Sequence, residues 1–336
     1  MHADALYQAY AVDSILITVA ELQGSAPREV GAQMRLAADG KQWQSIGGGH
    51  LEWAAQHQAQ TMLAMAPDSL AAQRHLQRWV LGASLGQCCG GVVWLSFERI
   101  AANQSLPKFT QGWRCLPLHQ ATPAVIRSEQ NPATAGELPA AFPAALQLAL
   151  AKLNPHTQLW HSEQQSWLLQ AAPARLPHLV LVGAGHVGQA LVKALSDLAC
   201  RISWLDQREN LLDAVLAPQV QTYFDDDVMG NLAELASQTD PAYYLIASHS
   251  HQLDYKICYY LLQQQHFAWL GLIGSHSKRQ QFMQRFSRQG LSAQQTADLC
   301  CPIGIAGISG KHPAIIAASV TAQLLQLWQS AELSQL

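Results

Sequence analysis

The sequence predicts an α/β protein: a C-terminal Rossmann-like parallel sheet with helices on both faces, preceded by a smaller N-terminal α+β domain. Two observations predict the C-terminal half. Strand-like and helix-like segments alternate with short connections from residue 179 to residue 329, and the first strand runs into Gly183-x-Gly185-x-x-Gly188 at the start of a helix. The first hundred residues instead combine short strands, one helix and glycine-rich loops. A chain of 336 residues is long enough for two such domains.

Composition argues against several classes of protein. The formal net charge is −3, charged residues make up 13% of the chain, and no long basic run occurs, so a nucleic-acid or anionic-membrane partner is not expected. No window approaches the ~18 to 20 uninterrupted apolar residues of a membrane span. The first residues lack the basic and apolar segments of a signal peptide. Seven cysteines include two adjacent pairs and no Cys-x-x-Cys spacing, which favours a cytoplasmic protein over a disulfide framework or a zinc site.

The predicted α+β domain covers residues 1–100. Alternating apolar residues indicate strands, Asp39-Gly40 is typical of a hairpin turn, and the residues after three consecutive glycines are strong helix formers. The expected strands cover residues 15–22, 33–37, a short segment ending at Ile46, 76–81 and 92–97, and the expected helix covers residues 50–66.

Residues 101–176 form a proline-rich connecting region in which the pattern is weaker. A helix is expected near residues 144–153, and two strands near residues 157–160 and 166–170. The segment 171–177, with two prolines, is the expected boundary.

The Rossmann-like domain covers residues 177–330. Its expected strands cover residues 179–182, 201–205, 220–224, 243–247 and 269–273. Its expected helices cover residues 187–198, 231–237, 253–264, 278–288 and 312–329.

The glycine fingerprint predicts a phosphate-binding turn. Gly183 would allow the tight turn, Gly185 the close approach of a phosphate, and Gly188 the packing of helix on strand. Asp206 ends the next strand, 23 residues after Gly183, where an acid can hold a ribose hydroxyl and favour NAD over NADP.

Polar residues follow two later strands, at the edge where such sheets bind ligands. His249 and His251 follow the fourth strand, and Ser275 and Lys278 follow the fifth. Lys278 could hold an anionic ligand together with helix N-termini. Alternate residues of an extended segment point in opposite directions, so the two histidines suit substrate hydrogen bonds better than one metal ion. The alternative is that these loops are only helix caps and turns.

The N-terminal loops present an arginine, three glycines and two thiols. Arg28 lies on a turn after Gly24 and suits a phosphate or carboxylate. Gly47-Gly48-Gly49 precedes a helix that begins near His50, which predicts an anion cradle. Cys88 and Cys89 lie among glycines, and thiolates bind soft metals or carry sulfur. The alternative is two small buried hydrophobic residues. The role of Cys300 and Cys301 stays open.

These motifs together resemble the XdhC/CoxI family, and most closely its xanthine dehydrogenase accessory branch. The first domain carries GSAPR at 24–28, IGGGHLE at 46–52 and LGQCCGG at 85–91. The second carries VGAGHVG at 182–188, SHSH at 248–251, GLIGS at 271–275 and PIG at 302–304. The resemblance covers roughly residues 10–100 and 177–328. In some relatives a cysteine follows the three glycines, where His50 stands here, so Cys88 or Cys89 becomes the candidate thiol.

The resemblance implies a molybdenum-cofactor chaperone rather than an enzyme. Such a protein binds molybdopterin, supports its sulfuration with a cysteine desulfurase and delivers it to apo xanthine dehydrogenase, whose molybdenum subunit is the expected partner. Cys88 and Cys89 would contact molybdenum or sulfur. By analogy with two-domain binders that share a cleft, a homodimer is one expectation. The expected cofactor-binding residues are Arg28, Gly47, Gly48, Gly49, His50, Cys88, Cys89, Gly183, Gly185, Gly188, Asp206, His249, His251, Ser275 and Lys278.

Two other functions stay open. The glycine fingerprint and Asp206 fit an NAD(P)-dependent oxidoreductase, with His249 or Lys278 as its acid–base group. The second is a non-catalytic nucleotide-binding protein, in which Cys88 and Cys89 would both be inert.

Overall fold

The computed structural model divides the chain into two compact units, Met1–Ala174 and Arg175–Leu336. The predicted fold class is confirmed: a parallel Rossmann-like sheet lies in the second unit, and antiparallel sheets lie in the first. The residues that the structure describes are 6–82, 90–107, 109, 112–119, 124–127, 143–150, 152–153, 156–162, 165–172, 175–208 and 216–334.

The first unit begins with a five-stranded antiparallel sheet in the order β3-β2-β1-β5-β4. Its elements are β1 (Ser14–Gln23), β2 (Gln33–Ala37), β3 (Gln42–Gln44), α1 (Gly49–Ala64), α2 (Leu70–Gln73), β4 (Arg74–Val80) and β5 (Val92–Ile100). Because side chains alternate along a strand, Ile15 and Ile17 of β1 and Phe97 of β5 face one side, where they form a core with Leu51 and Met62 of α1.

A second antiparallel sheet of the same unit lies in the proline-rich region, in the order β7-β6-β9-β8. Its elements are β6 (Trp113–Pro117), β7 (Val125–Arg127), α3 (Ala144–Leu150), β8 (Gln158–His161) and β9 (Ser166–Ala171). Leu116 of β6 and Leu168 of β9 pack with Ala20 of β1, so the two sheets face each other. The sequence did not predict β6 and β7, because prolines interrupt the apolar pattern there.

The second unit is a six-stranded parallel sheet in the order β12-β11-β10-β13-β14-β15. This order is that of a doubly wound Rossmann sheet, with the glycine fingerprint after its central strand β10. The elements are β10 (His178–Val182), α4 (His186–Leu195), β11 (Arg201–Asp206), β12 (Val220–Phe224), α5 (Val228–Ala236), β13 (Tyr243–Ile246), α6 (His251–Gln264), β14 (Trp269–Leu272), α7 (His276–Arg288), α8 (Ala293–Ala297), β15 (Leu299–Cys300) and α9 (Pro313–Ser334).

Helices cover both faces of this sheet. Leu179 and Leu181 of β10 form a core with α4 and α9, while Val180 and Val182 form another with α5, α6 and α7. The two cores explain why the strands are apolar throughout rather than alternating. Among the described residues, no helix combines the length and the apolar character that crossing a membrane requires.

Candidate functional site

Three N-terminal glycine loops meet at one end of the five-stranded sheet. A Cβ atom at Gly91 would lie 2.2 Å from the carbonyl oxygen of Ser25, and one at Gly47 would lie 2.4 Å from the Cβ of Pro27. Gly47 also has a φ of +121°, which disfavours other residues. The loops that carry Arg28, Gly47 to Gly49 and Gly91 are therefore packed against one another, although they are distant in sequence.

The carboxylate of Glu52 occupies the cradle that the sequence predicts at Gly47 to Gly49. It accepts hydrogen bonds from the backbone N–H groups of Gly48 (3.0 Å) and Ile46 (3.2 Å) and from the hydroxyl of Ser45 (2.5 Å). Burial raises the pKa of Glu52, but these bonds and one from Gln42 hold it below its usual value. Of the three glycine N–H groups, that of Gly48 thus binds an internal anion, and the role of Gly47, Gly48 and Gly49 in binding a cofactor stays a prediction.

Arg28 and His50 are exposed beside this loop. The guanidinium of Arg28 forms an ion pair with Glu29 (2.9 Å) and donates to the carbonyl oxygen of Ser45 (3.3 Å). His50 lies in the first turn of α1 and is exposed. Trp53 lies one turn further along the same helix and is 64% exposed. The side chains of Arg28, His50 and Trp53 are therefore exposed to solvent near the glycine loops.

Cys88 and Cys89, the expected thiols, lie outside the described residues. Gly91, two residues beyond Cys89, contacts the loop of Arg28 through Ser25. Within the part of the chain that the structure describes, no group of three or more His, Cys, Asp or Glu side chains is placed to hold a metal ion. The role of the two thiols stays a prediction.

The three glycines of the fingerprint have different surroundings. A Cβ at Gly183 would lie 2.2 Å from the carbonyl oxygen of Ala247, and one at Gly188 would lie 2.0 Å from the carbonyl oxygen of Gly183. Both positions therefore require glycine for the fold. A Cβ at Gly185 would meet no atom within 4 Å. The space in front of the helix N-terminus is open at this residue, as a bound phosphate would need.

Asp206 is already bound by neighbouring groups. Its Oδ2 accepts from the backbone N–H of Ala184 (2.6 Å), and its Oδ1 pairs with the guanidinium of Arg208 (2.8 Å). Burial raises its pKa, but the bonds from Arg208 and Ala184 hold it below the usual range. A ribose hydroxyl would compete with Arg208 for this carboxylate, and the prediction that Asp206 binds ribose stays a prediction.

The loops after β10, β13 and β14 lie at the same edge, since these strands are adjacent. Gly183 touches the backbone of Ala247 at the start of the β13 loop. His249 in that loop and His251, the first residue of α6, are exposed. Ser275, after β14, is exposed and caps α7 by accepting from the backbone N–H of Lys278 (3.2 Å). The expected histidines and Ser275 thus share one edge with the glycine turn.

Lys278 points into the protein rather than toward a ligand. Its Nζ donates to Asp254 (2.7 Å) and to the carbonyl oxygen of Ile273 (2.9 Å), and its side chain is only 10% exposed. Asp254 is fully buried and also accepts from the hydroxyl of Ser248 (2.6 Å). The charge of Lys278 thus balances Asp254, and its binding of an anionic ligand stays a prediction. The sequence signal for Asp254 was an acid in line with Cys258 and Leu261 on the apolar face of α6.

Cys300 and Cys301 lie on opposite faces of the parallel sheet. Cys301 is buried in the core with α6 and α7, whereas Cys300 packs at the core with α4 and α9. Burial raises the pKa of Cys301. The two thiols are therefore adjacent in sequence, but each packs against a different core on its own face of the sheet.

Comparison with known proteins matches two segments of the chain. Residues 179–324 match a family described as the XdhC Rossmann domain, and residues 11–71 match one described as the XdhC and CoxI family. A protein of Bacillus subtilis (strain 168), named as a probable subunit of xanthine dehydrogenase, is 23% identical over 329 residues, which is 94% of this chain and 93% of that protein.

The chain is also similar to one further protein over part of its length and to one solved structure. The uncharacterized protein YqeB of Escherichia coli (strain K12) is 31% identical over 155 residues, or 46% of this chain, and the chain matches only 28% of that relative's length. The crystal structure of a xanthine dehydrogenase from Bacillus halodurans superposes with a TM-score of 0.71 at 20% identity, covering 95% of this chain and 92% of that one. At this identity the superposition establishes the shared fold.

Proposed function

The chain belongs to the XdhC and CoxI family, and from that premise we propose that it is an accessory protein for xanthine dehydrogenase. The observation that carries this proposal is that one chain holds both family segments and that its N-terminal family loops pack together at one site. The Bacillus subtilis relative, which has nearly the same length, is named as a probable subunit of that enzyme, and this supports the same assignment.

We further propose that the protein binds the molybdenum cofactor and supports its sulfuration with a cysteine desulfurase before delivery to the apo-enzyme. When bound, the cofactor would supply molybdenum on a phosphorylated pterin. Cys88 or Cys89 would provide the soft ligand, and Arg28 would hold the phosphate. The packed glycine loops fit this role, because Arg28 and His50 are exposed and the loop of Arg28 contacts Gly91. We propose that the protein acts in the cytoplasm. A homodimer stays an expectation by analogy with two-domain binders that share a cleft.

The test is the molybdenum content and oxidised-pterin fluorescence of the protein, purified without oxygen from cells that make the cofactor. Protein from cells that cannot make it is the control. We expect near-stoichiometric metal and pterin in the first preparation only, and activation of apo xanthine dehydrogenase by that preparation. Folded protein without metal or pterin in both preparations would contradict cofactor binding.

A second candidate function is nucleotide binding in the Rossmann domain, which the open space at Gly185 favours. Arg208 lies beside Asp206, so this edge carries a cation where an NAD site needs a free acid. A titration with NAD and NADP tests this candidate. Reduction of either nucleotide by a substrate would support an oxidoreductase, and tight binding without reduction would support a nucleotide-binding protein.

A further inference from the structure

Trp53 presents its indole ring to solvent on α1. The chain has ten tryptophans, and all except Trp53 are buried or half-buried. Trp53 is 64% exposed. An exposed indole gives up the free energy that burial of its large apolar surface would supply. Because tryptophan is enriched where proteins contact ligands or partners, this ring is a candidate contact residue.

One face of the indole is covered by His57. The two rings are stacked, with 6.0 Å between their centroids and an angle of 8° between their planes. His57 lies four residues later, one turn further along α1, and side chains at this spacing lie one above the other. The covered face of the indole therefore points toward the C-terminal end of the helix, and its other face points toward the helix start.

The other face of the indole is open. Four residues before Trp53, the next position in the same row of side chains is Gly49, which has no side chain. Its φ of +61° lies in the left-handed region, which favours glycine at this position. Among the described residues, no ring other than that of His57 contacts Trp53. The face toward the helix start is therefore accessible to a ligand.

This open face lies beside the glycine loop. Helix α1 begins at Gly49, directly after Gly48, and a Cβ atom at Gly48 would meet no atom within 4 Å. The first N–H groups of a helix have no partner within the helix, so they can donate to an acceptor there. A group in this space would meet the flat surface of Trp53 and N–H donors from the start of α1. A planar heterocycle with polar edges suits both.

We propose that the indole of Trp53 stacks on the pterin of the molybdenum cofactor, an inference that rests on the function proposed above. The pyrimidine ring of a pterin is planar, and its carbonyl oxygen and ring nitrogens can accept from N–H groups. Stacked on Trp53, it would continue the row that His57 begins. Stacking does not require the metal, so Trp53 would hold the pterin independently of Cys88 and Cys89.

The test is the rate at which the purified protein loses pterin during dialysis without oxygen, followed by oxidised-pterin fluorescence. We expect Trp53→Ala to lose pterin about tenfold faster than the wild type, because stacking on an aromatic side chain contributes affinity of this order. Trp53→Phe keeps a flat ring and should stay within about threefold of the wild type. Met65→Ala, at an exposed position directly after α1, is the matched control and should not change the rate.

Urea denaturation should give wild-type midpoints for these variants, because both positions are exposed. Equal rates of loss in the wild type and in Trp53→Ala would overturn the stacking and leave the proposed function intact. Wild-type protein that holds no pterin would overturn both. Trp53→Phe that loses pterin as fast as Trp53→Ala would contradict a role for the flat ring. A Trp53→Ala protein that keeps its pterin but fails to activate apo xanthine dehydrogenase would instead assign the indole to the contact with that enzyme.

Discussion

Asp254 and Lys278 form a buried ion pair, with 2.7 Å between the carboxylate and the ammonium. Asp254 lies in α6 and Lys278 in α7, so the pair joins the helices that follow two adjacent strands. Ser248 completes the network by donating to the same carboxylate. The loops after β13 and β14 are therefore held together by this polar cluster.

Removing one partner of this pair should destabilise the protein strongly. Lys278→Met leaves Asp254 buried without its counter-charge, and we expect a loss of about 3 to 5 kcal/mol in the free energy of unfolding. Urea denaturation measures this loss, with Lys256→Met, exposed on the same α6, as the control. The double variant Asp254→Asn/Lys278→Met should recover part of the loss. A loss below about 1 kcal/mol would show that the pair is dispensable.

Gly185 and Gly188 should respond differently to the same substitution. In Gly188→Ala the new methyl group would lie 2.0 Å from the carbonyl oxygen of Gly183, so we expect a loss of about 1 to 3 kcal/mol or more. In Gly185→Ala the methyl group enters open space, so the free energy of unfolding should change by less than about 1 kcal/mol. Any nucleotide bound at the turn should then bind about tenfold more weakly, as titration would show. Unchanged nucleotide affinity in Gly185→Ala would place the ligand elsewhere.

Glu52 should stabilise the glycine loop only when it is ionised. Its pKa is lowered in the folded protein, so its contribution is complete above its usual value of 4.5 and is lost as the pH falls through the folded value. We expect Glu52→Gln to cost about 1.5 to 3 kcal/mol at pH 7, and much less near pH 3. Urea denaturation across this range checks the trend, with Glu21→Gln as the exposed control. A cost that does not depend on pH would contradict the role of the charge.

His178 should make the protein less stable in mild acid. Burial, and then Arg201, lower the pKa of His178 from 6.5 to about 4, and its Nε2 bonds to the hydroxyl of Ser203. Between these pH values only the unfolded chain binds the proton, so stability falls as the pH falls from about 6.5 to about 4, by up to about 3 kcal/mol. His178→Asn should flatten this part of the stability curve, whereas His249→Asn, at an exposed position, should not. An unchanged slope in His178→Asn would assign the acid sensitivity to other groups.

The purified protein should retain less molybdenum when the thiols are removed, in Cys88→Ala, Cys89→Ala and the double variant. Its free energy of unfolding should not fall. The physical reason is that each variant removes a soft ligand for molybdenum. Inductively coupled plasma mass spectrometry measures the metal, and Cys300→Ala in the second unit is the matched control. Equal retention in all three variants and in the wild type would reject the thiol hypothesis.

The elements of the parallel sheet could be predicted because their signals are local. Val180 to Val182, the glycine fingerprint and the helix after it follow one another in the chain, and the structure confirms each within a few residues. In the proline-rich region, β6 and β7 were not predicted. Strand β6 pairs with β9, about fifty residues away, so the burial of Trp113 and Cys115 depends on a contact that no local pattern records.

The sequence by itself determined the fold class, the family motifs and the positions that only glycine can occupy, because each depends on neighbours in the chain or on backbone geometry. Glu52 and Asp206 bind groups that are close in the chain, Gly48 and Arg208, but the sequence did not show that these contacts form. Tertiary structure alone decided that Asp254 of α6 binds Lys278 of α7. It also placed Arg114 beside Glu98 from a different sheet. The physical reason is that a charged side chain binds whatever opposite charge or dipole the fold brings within about 3 Å, and sequence distance does not specify that partner.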